Sequence, residues 1–266
     1  MESRGKGLAR MANMLLDEEW TDWLPIYAWA IEHEEGIILV DTGETSRVHE
    51  RGYHPRWHPF YRRAVRFSIH PEEELGPQLR WLGIAARDVR HVVLTHLHTD
   101  HAGGLAHVTG SRTWVAQQEM QRARGLGGRI LGYLPHRWPR WWAPEFLRFE
   151  ERAIGPFRES VPLTKRGDVV VVPTPGHTPH HVSVMVLGEP AYFLAGDTSY
   201  NQGLLLAGKV DGVSPDAAVA RETLRRIAML GRERPLVYLP SHDPQSEKRL
   251  AGNVVLKEQA QAGAPA

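Results

Sequence analysis

Residues 95–104, "THLHTDHAGG", place three histidines and one aspartate within six consecutive positions. They follow "VRHVVL", an apolar run that is typical of a short buried strand. Because His96 and His98 stand two residues apart at the end of that strand, an extended backbone points both imidazoles the same way. Asp100 and His101 follow where "DHAGGL" turns into a helix. Neutral imidazoles and a carboxylate in this spacing indicate a site for Zn, Fe, Mn or Co.

Three further candidate ligands lie at the ends of other apolar runs. His177 follows "DVVVV", Asp197 follows "AYFL" and His242 follows "LVYL". Open α/β sheets tend to place functional groups at such strand exits. His180 and His181, close to His177, are candidates for a supporting role. With the first motif, the sequence offers seven candidate ligands, too many for one tetrahedral ion. We therefore predict two metal ions that share one carboxylate.

The apolar runs between these motifs predict the elements that position them. "PIYAWAIEH" and "IILVDTG" predict a β-hairpin with Gly36 at its turn. "PEEELGPQLRWLGI" predicts a helix with Leu75, Leu79 and Leu82 on one face, and "SPDAAVARETLRRIAML" predicts a helix capped by Ser214. The other apolar runs predict strands. Strands with few crossover helices favour two sheets packed face to face, with helices outside.

The length of 266 residues suits one large domain or two small ones and allows a substantial core, and we predict a single domain over residues 1–266. Two stretches rich in Arg, Trp, Pro and Gly, residues 49–70 and 124–149, fit neither a core strand nor a regular amphipathic helix. We interpret them as insertions over the scaffold. The polar, Ala-rich C-terminal segment, residues 251–266, is predicted to fray.

Overall composition excludes several classes of function. The formal net charge of +1 gives no support for a nucleic-acid or a membrane partner. The absence of cysteine excludes disulfides and thiolate metal ligands. The sequence contains neither an apolar run of signal-peptide type near its start nor one long enough to span a bilayer. These features predict a cytoplasmic protein.

The motifs "THLHTDHAGG", "TPGHTPHH", "GDTSY" and "PSHD" resemble those of the metallo-β-lactamase-fold hydrolases, in the same order, from about Ile26 to His242. The resemblance implies an α/β fold, a four-layer αββα sandwich with a binuclear site at one sheet edge. It also implies a set of metal ligands: His96, His98 and His177 for one ion, Asp100, His101 and His242 for the other, and Asp197 as the bridge. Asp41 matches a position that supports the site, whereas His180 stands where relatives often have glycine.

Two close cations, Zn or alternatively Fe, Co or Mn, lower the pKa of a bridging water, so the reaction class that follows is hydrolysis by hydroxide. The stretch "GDTSYNQGLLLAGKVDGVSPD" resembles the N-acyl-homoserine lactonases, which place a tyrosine three residues after the bridging aspartate. The resemblance implies that Tyr200 contacts the lactone and that Asp100 passes a proton to the leaving alkoxide. It therefore predicts a quorum-quenching lactonase whose partner is a small acyl lactone.

The acyl chain of such a substrate requires an apolar surface. We predict a wall formed by side chains of the second insertion: Tyr133, Leu134, Trp138, Trp141, Trp142 and Phe146. The alternative interpretations are a cap over the sandwich, a contact within a homodimer, or a surface on which nucleic-acid bases stack between aromatic side chains and arginines. Other reactions also stay open: a thioesterase of the glyoxalase II type, an esterase, a phosphodiesterase, a one-iron sulfur dioxygenase, or a metal-binding module without catalysis.

Overall fold

The computed structural model describes residues 15–16 and 19–257. Two five-stranded sheets form its centre. The first sheet contains, in this order, β1 (Trp29–Ile31), β2 (Ile37–Val40), β3 (Val89–Val93), β4 (Arg112–Val115) and β5 (Glu145–Phe146). The second contains β6 (Val161–Pro162), β7 (Val169–Pro173), β8 (Val182–Val186), β9 (Ala191–Gly196) and β10 (Leu236–Pro240). Both sheets are mixed, since β1–β2 is antiparallel within the first and β9–β10 is parallel within the second.

Helices flank the two sheets. The α-helices are α1 (Pro59–Arg63), α2 (Leu75–Trp81), α3 (Thr99–Ala102), α4 (Gln117–Arg124), α5 (Gln202–Leu206), α6 (Ala217–Glu233) and α7 (Ser246–Ala251). Short 3₁₀ helices span Ser46–His49, Pro71–Glu73, Ala86–Asp88, Gly103–His107, Gly128–Leu131 and Pro135–Arg137. No helix in the described ranges is long and apolar enough to cross a membrane.

Alternation along the strands creates the layers of the core. In β7, Val171 packs between the sheets with Val93 of the first sheet, whereas Val170 and Val172 face outward against α6. This period of two is what an extended strand imposes on a valine run. On the far side of the first sheet, α2 and α4 cover a second outer core, to which Met120 contributes. The predicted αββα sandwich is therefore confirmed.

Both predicted helices are present, but each has one end that differs from the prediction. α2 ends at Trp81, so Leu82 lies beyond it and is 56% exposed, while Leu75 and Leu79 are buried. α6 is capped by Asp216, whose carboxylate accepts the N–H groups of residues 218 and 219. The cap predicted at Ser214 is wrong. The Ser214 N–H and hydroxyl both donate to the carboxylate of Asp211, and the residue that caps α6 is Asp216.

The two stretches interpreted as insertions carry regular elements. Residues 49–70 contain α1, and residues 124–149 contain two 3₁₀ helices and the edge strand β5. Of the C-terminal segment predicted to fray, residues 258–266 lie outside the described residues, whereas residues 251–257 are described. In that part, Leu256 is buried and its N–H bonds the carbonyl of Leu236.

The Glu74 carboxylate, which precedes α2, makes an unusually dense set of hydrogen bonds. Its Oε1 accepts the N–H and hydroxyl of Ser46 and the hydroxyl of Thr45, and its Oε2 lies 2.7 Å from His107 Nε2. Burial raises the pKa of Glu74, but the bonds from Ser46, His107 and Thr45 outweigh it and lower the pKa to about 2. The charged carboxylate therefore stabilises the folded chain at neutral pH.

We expect Glu74→Gln to lower the free energy of unfolding at pH 7 by about 1–3 kcal/mol, because donors built for a carboxylate lose an acceptor. A lowered folded pKa contributes stability above pH 4.5, and this contribution is lost as the pH falls toward 2. The variant should therefore differ less from the wild type at pH 3 than at pH 7 in urea unfolding. The exposed Glu72→Gln is the control, and equal midpoints for Glu74→Gln and wild type at pH 7 would contradict the assignment.

Candidate metal centre

The seven predicted ligands all lie just after strands that end at one edge of the sandwich. His96, His98, Asp100 and His101 follow β3, and α3 begins directly after His98. The other three candidates, His177, Asp197 and His242, follow β7, β9 and β10. The structure brings all seven together, in groups whose ligand atoms lie within 4.8 Å of one another.

Three imidazoles form the first group. His98 Nδ1 lies 3.0 Å from His96 Nε2 and 3.0 Å from His177 Nε2. Burial, reinforced by the neighbouring histidines, holds the pKa of His96 well below its usual value and lowers that of His98 to about 3. Both rings are therefore neutral at pH 7, which is the form that binds a metal.

Carboxylates surround the second group. His242 Nε2 lies 3.4 Å from Asp100 Oδ2 and 3.3 Å from Asp197 Oδ2, and His101 Nε2 lies 3.2 Å from Asp197 Oδ1. Asp197 Oδ2 is also 3.5 Å from His177 Nε2, so this one carboxylate reaches both groups. This position is compatible with the bridging role, which stays a prediction.

The donor set fits divalent cations. Within the described part of the chain, His101 Nε2 and Asp197 Oδ1 are buried without a hydrogen-bond partner, although they face each other. Burial alone lowers the pKa of His242, yet Asp197 and Asp100 raise it to about 10. The field at this position therefore favours positive charge, and a metal ion supplies it more strongly than a proton.

Backbone geometry explains two glycines of the motifs. A Cβ at Gly104 would stand 2.1 Å from the carbonyl oxygen of Thr42, so the segment after α3 could not pack on the loop after β2. Gly196 adopts φ +56°, and a Cβ there would stand 2.6 Å from His181 Nε2. A side chain at either position would displace the adjoining ligand loops.

Asp41, the residue predicted to support the site, contacts the candidate ligand His101. Its Oδ2 lies 2.8 Å from His101 Nδ1, and its two oxygens accept the N–H and the hydroxyl of Thr95. Asp41 adopts φ 62°, a left-handed conformation that costs a non-glycine residue about 1–2 kcal/mol. The surrounding bonds offset that cost and leave His101 Nε2 free for a metal.

Three other candidate ligands, His242, His177 and Asp197, also contact groups that hold them in place. Pro25 O lies 2.8 Å from His242 Nδ1, and Asp211 Oδ2 lies 3.9 Å from His177 Nδ1, where the attraction is electrostatic. The buried ring of His181 accepts the backbone N–H of Asp197 at Nε2, so its proton resides on Nδ1. His181 thus contacts the backbone of the candidate bridging residue, whereas the His180 side chain makes no such contact among the described residues.

Glu119 is a buried acid that sequence reasoning missed. It lies on α4 and is fully buried. Its Oε1 accepts the Tyr133 hydroxyl at 2.8 Å and the Leu97 N–H at 3.4 Å, and its Oε2 accepts the Thr178 hydroxyl at 3.0 Å. Leu97 lies between His96 and His98, and Thr178 follows His177. One side chain therefore connects the two loops that carry the three-histidine group.

We expect Glu119→Gln to lower the affinity of this group for metal by about 10–100-fold, the usual cost of losing a group that supports ligands. An amide carries no charge and accepts at one atom only, so the hydroxyl that faces its N–H groups must turn round and accept, and the charge-assisted bonds to Thr178 and Tyr133 are weakened. Titration with Co²⁺ under a competing chelator measures the affinity, and the visible absorption bands report coordination geometry. Glu72→Gln, away from the site, is the control, and an unchanged Co²⁺ affinity and spectrum would show that Glu119 only fills space.

Tyr200 stands beside both groups of ligands. Its ring centre is 5.3 Å from that of His242 and 6.3 Å from that of His177. Among the described residues, none is hydrogen-bonded to its hydroxyl. Burial, with the negative charges of Asp197, Asp211 and Asp100, raises its pKa well above 10, so the phenol is a neutral donor at pH 7.

The predicted acyl wall of the second insertion is only partly compatible with the structure. Trp142 is buried, and its indole N–H bonds the Thr113 hydroxyl at 2.8 Å inside the core, so it lines no groove. Trp138 packs edge-on against Trp142, whereas Trp141 and Phe146 are exposed. Trp142 is therefore corrected to a core residue, because a polar partner inside the fold satisfies its indole.

A cleft of about 820 Å³ lies instead on the side of the second group. Its lining includes Pro25, whose carbonyl contacts His242, and Glu44, next to α3. Tyr27, Phe67 and Leu79 supply apolar surface there. These side chains make the cleft compatible with an aliphatic chain.

A family model described as the metallo-beta-lactamase superfamily matches residues 21–242. This chain belongs to the metallo-beta-lactamase superfamily. A relative in Mycobacterium tuberculosis, named as a probable metallo-hydrolase, is 32% identical over 194 residues, which are 66% of this chain and 57% of that protein. The chain thus spans little more than half of the mycobacterial relative.

Two further similarities involve lactonases. An N-acyl homoserine lactonase of Bacillus cereus is 26% identical over 235 residues, covering 85% of this chain and 84% of that protein. A solved structure of an N-acyl homoserine lactone hydrolase, with N-hexanoyl-L-homoserine bound at its catalytic metal centre, superposes with a TM-score of 0.65 at 23% identity. It covers 85% of this chain and 84% of that one, and at this identity it supports the fold.

Proposed function

We propose that this metallo-hydrolase opens the lactone ring of N-acyl homoserine lactones, and that it thereby inactivates a quorum signal. The observation that carries the proposal is the Tyr200 phenol, a neutral donor held beside the ligand groups that share Asp197. A lactone carbonyl placed between the two groups would be within reach of that donor. The similarity to bacterial lactonases over most of the chain supports the same substrate class.

The residues that would hold two ions are the seven named ligands, with Asp197 common to both positions. All donors are imidazole or carboxylate, which suits Zn²⁺. When bound, such ions supply Lewis acidity and a water that loses its proton near neutral pH. The remaining steps depend on the side chains of this protein.

Tyr200 would donate a hydrogen bond to the lactone oxygen on which negative charge develops, and so stabilise the transition state. The ring oxygen leaves as an alkoxide and requires a proton. Asp100 is the candidate to deliver it, because its side chain is 23% exposed to the site whereas that of Asp197 is 3% exposed. Burial raises the pKa of Asp100, but His101 and His242 outweigh it and keep the carboxylate charged. Asp100 would therefore first take up the proton released by the attacking water and then pass it to the alkoxide.

A substrate panel on metal-replete protein tests the proposal. We expect acid release from N-acyl homoserine lactones to exceed turnover of a thioester, a simple ester and a phosphodiester by at least tenfold in kcat/KM. A matched sample of Asp197→Asn measures the background rate. Preference for the thioester or the phosphodiester would reassign the substrate class, and two bound ions without turnover of any of the four would leave a metal-binding module.

A further inference from the structure

Residues 49–70 and 124–149, which we call the basic cap, have a charge unlike that of the rest of the chain. They contain ten arginines against two glutamates and have neither lysine nor aspartate. Over the whole chain, by contrast, 32 basic side chains nearly balance 31 acidic ones. The part outside the cap is therefore net acidic, and the near-zero total conceals two oppositely charged regions.

The two segments of the basic cap are joined in space. His58 Nε2 lies 2.9 Å from Ile130 O, and the Tyr61 hydroxyl donates to Gly132 O at 2.5 Å. The Arg137 guanidinium donates to the backbone carbonyls of residues 52 and 53. These bonds connect the beginning of α1 to the glycine-rich loop after α4, so that their arginines belong to one surface.

The acids of the basic cap do not neutralise it. Glu50 pairs with Arg47 at 3.0 Å and Glu145 pairs with Arg112 at 2.6 Å, and both of these arginines lie outside the cap. Within the cap, the exposed arginines include Arg51, Arg56, Arg62, Arg63 and Arg129. Their charge faces solvent.

Large apolar side chains are exposed among these arginines. Trp57 is 59% exposed, Ile130 is 66% exposed and Leu126 is fully exposed. Leu126 and Ile130 lie in "GLGGRILG", where Arg129 stands between them in sequence. Aromatic and aliphatic tips surrounded by basic groups are the composition of surfaces that enter the headgroup region of a bilayer.

The basic cap also contacts the metal centre. The ring of Tyr133 lies 5.0 Å from the ring of His98, and the adjoining Gly132 accepts the Tyr61 hydroxyl. A surface that binds the cap would therefore adjoin the active site. An apolar molecule dissolved in that surface would have a short path to the ligands.

We propose that the basic cap docks on the surface of a bilayer that contains anionic lipids. Contact with the headgroup region needs no spanning helix. The expectation of no membrane partner rested on the net charge, which averages over faces and cannot reveal such a surface. This docking does not depend on the proposed lactonase activity.

Two other occupants fit the basic cap less well. A second copy related by a two-fold axis would bring two copies of the same basic surface together, which their like charges oppose. A nucleic acid would accept the arginines and tryptophans, but it offers no apolar phase for Leu126 and Ile130. Both occupants are outcomes of the test below.

Co-sedimentation of the metal-replete protein with vesicles tests the proposal. We expect binding to vesicles of phosphatidylcholine and phosphatidylglycerol in equal amounts, and little binding to phosphatidylcholine alone. At about fivefold per basic residue, Arg62→Glu with Arg63→Glu should lower the partition constant by about 25-fold or more. Leu126→Asp with Ile130→Asp should lower it as well, and added salt should weaken wild-type binding.

Matched controls separate the basic cap from charge in general. Arg87→Glu with Arg90→Glu changes two exposed arginines near the start of β3, at the opposite end of that strand from the metal centre, and should leave binding unchanged. Circular dichroism and metal content confirm that each variant folds. Equal partition of wild type and the Arg62/Arg63 variant would overturn the proposal, as would binding to both vesicle types alike. Tighter binding to an oligonucleotide than to anionic vesicles, or a dimer that the cap variants dissociate, would also overturn it.

Discussion

Purified Asp197→Asn is expected to retain less than one metal ion per chain and to lose hydrolytic activity. Among the described residues, Asp197 is the one carboxylate within 3.5 Å of imidazoles from both ligand groups, so its charge contributes to both positions. Losing a group that merely supports a ligand typically lowers metal affinity by about 10–100-fold, so losing the shared ligand should cost more than about 100-fold. An amide preserves the volume, and the effect therefore isolates the charge and the second donor oxygen.

Elemental analysis after dialysis against a weak chelator measures the outcome, and turnover is recorded on the same samples. Asp88→Asn, an exposed change on the turn before β3, should retain both ions and full activity. Thermal unfolding with and without added Zn²⁺ gives a second reading, because an ion that binds only the folded chain raises its stability. Two tightly held ions and normal turnover in Asp197→Asn would refute the bridging assignment.

Tyr200→Phe is expected to keep the fold and the metal content while lowering kcat/KM for lactones. Removing one donor to a developing oxyanion typically lowers the rate by about 10²–10³-fold when that donor acts alone. Metal ions that polarise the same oxygen reduce the loss, so we expect about tenfold or more. Because the phenol is neutral, the variant changes neither the charge of the site nor its affinity for cations.

Tyr192→Phe is the matched control, since its hydroxyl bonds Asn253 on the second sheet, away from the ligands. Steady-state kinetics on a short-chain lactone, with metal content measured in parallel, decide the question. A kcat/KM equal to that of the wild type would show that Tyr200 packs beside the histidines without contacting substrate. A loss of bound metal would instead show that it supports the ligands.

Hydrogen bonds from three residues that are not ligands stabilise the backbone and the loops of the metal centre. Asp41 is held at a positive φ by bonds to Thr95 and His101, and His181 fixes the backbone of Asp197. Glu119 joins the loops of the three-histidine group from beneath. Each of these groups bonds backbone or ring N–H groups, so the ligand atoms are left with lone pairs facing a common centre.

The sequence by itself determined the strands, the ligand motifs and the family. Alternating and continuous apolar runs are local signals, and β3, β7, β9 and β10 appear where those runs predicted them. Ligands such as His96 and His98 are recognisable because their spacing reflects an extended backbone. The resemblance supplied the assignment of the other ligands, which stand far apart in the chain.

Only the tertiary structure decided which other residues serve the site. Glu119 looks like an ordinary acid in the first turn of a helix, and only the packing of α4 beneath two loops gives it three donors. Its one local signal is weak: it adjoins Met120 on the buried side of that helix.

Asp211 is 34 residues from His177, so no local pattern connects them. The Trp142 indole N–H bonds the Thr113 hydroxyl on β4, and the basic cap forms from two segments more than 50 residues apart. Contacts at such separations depend on the free energy of the whole fold, which a local pattern cannot encode.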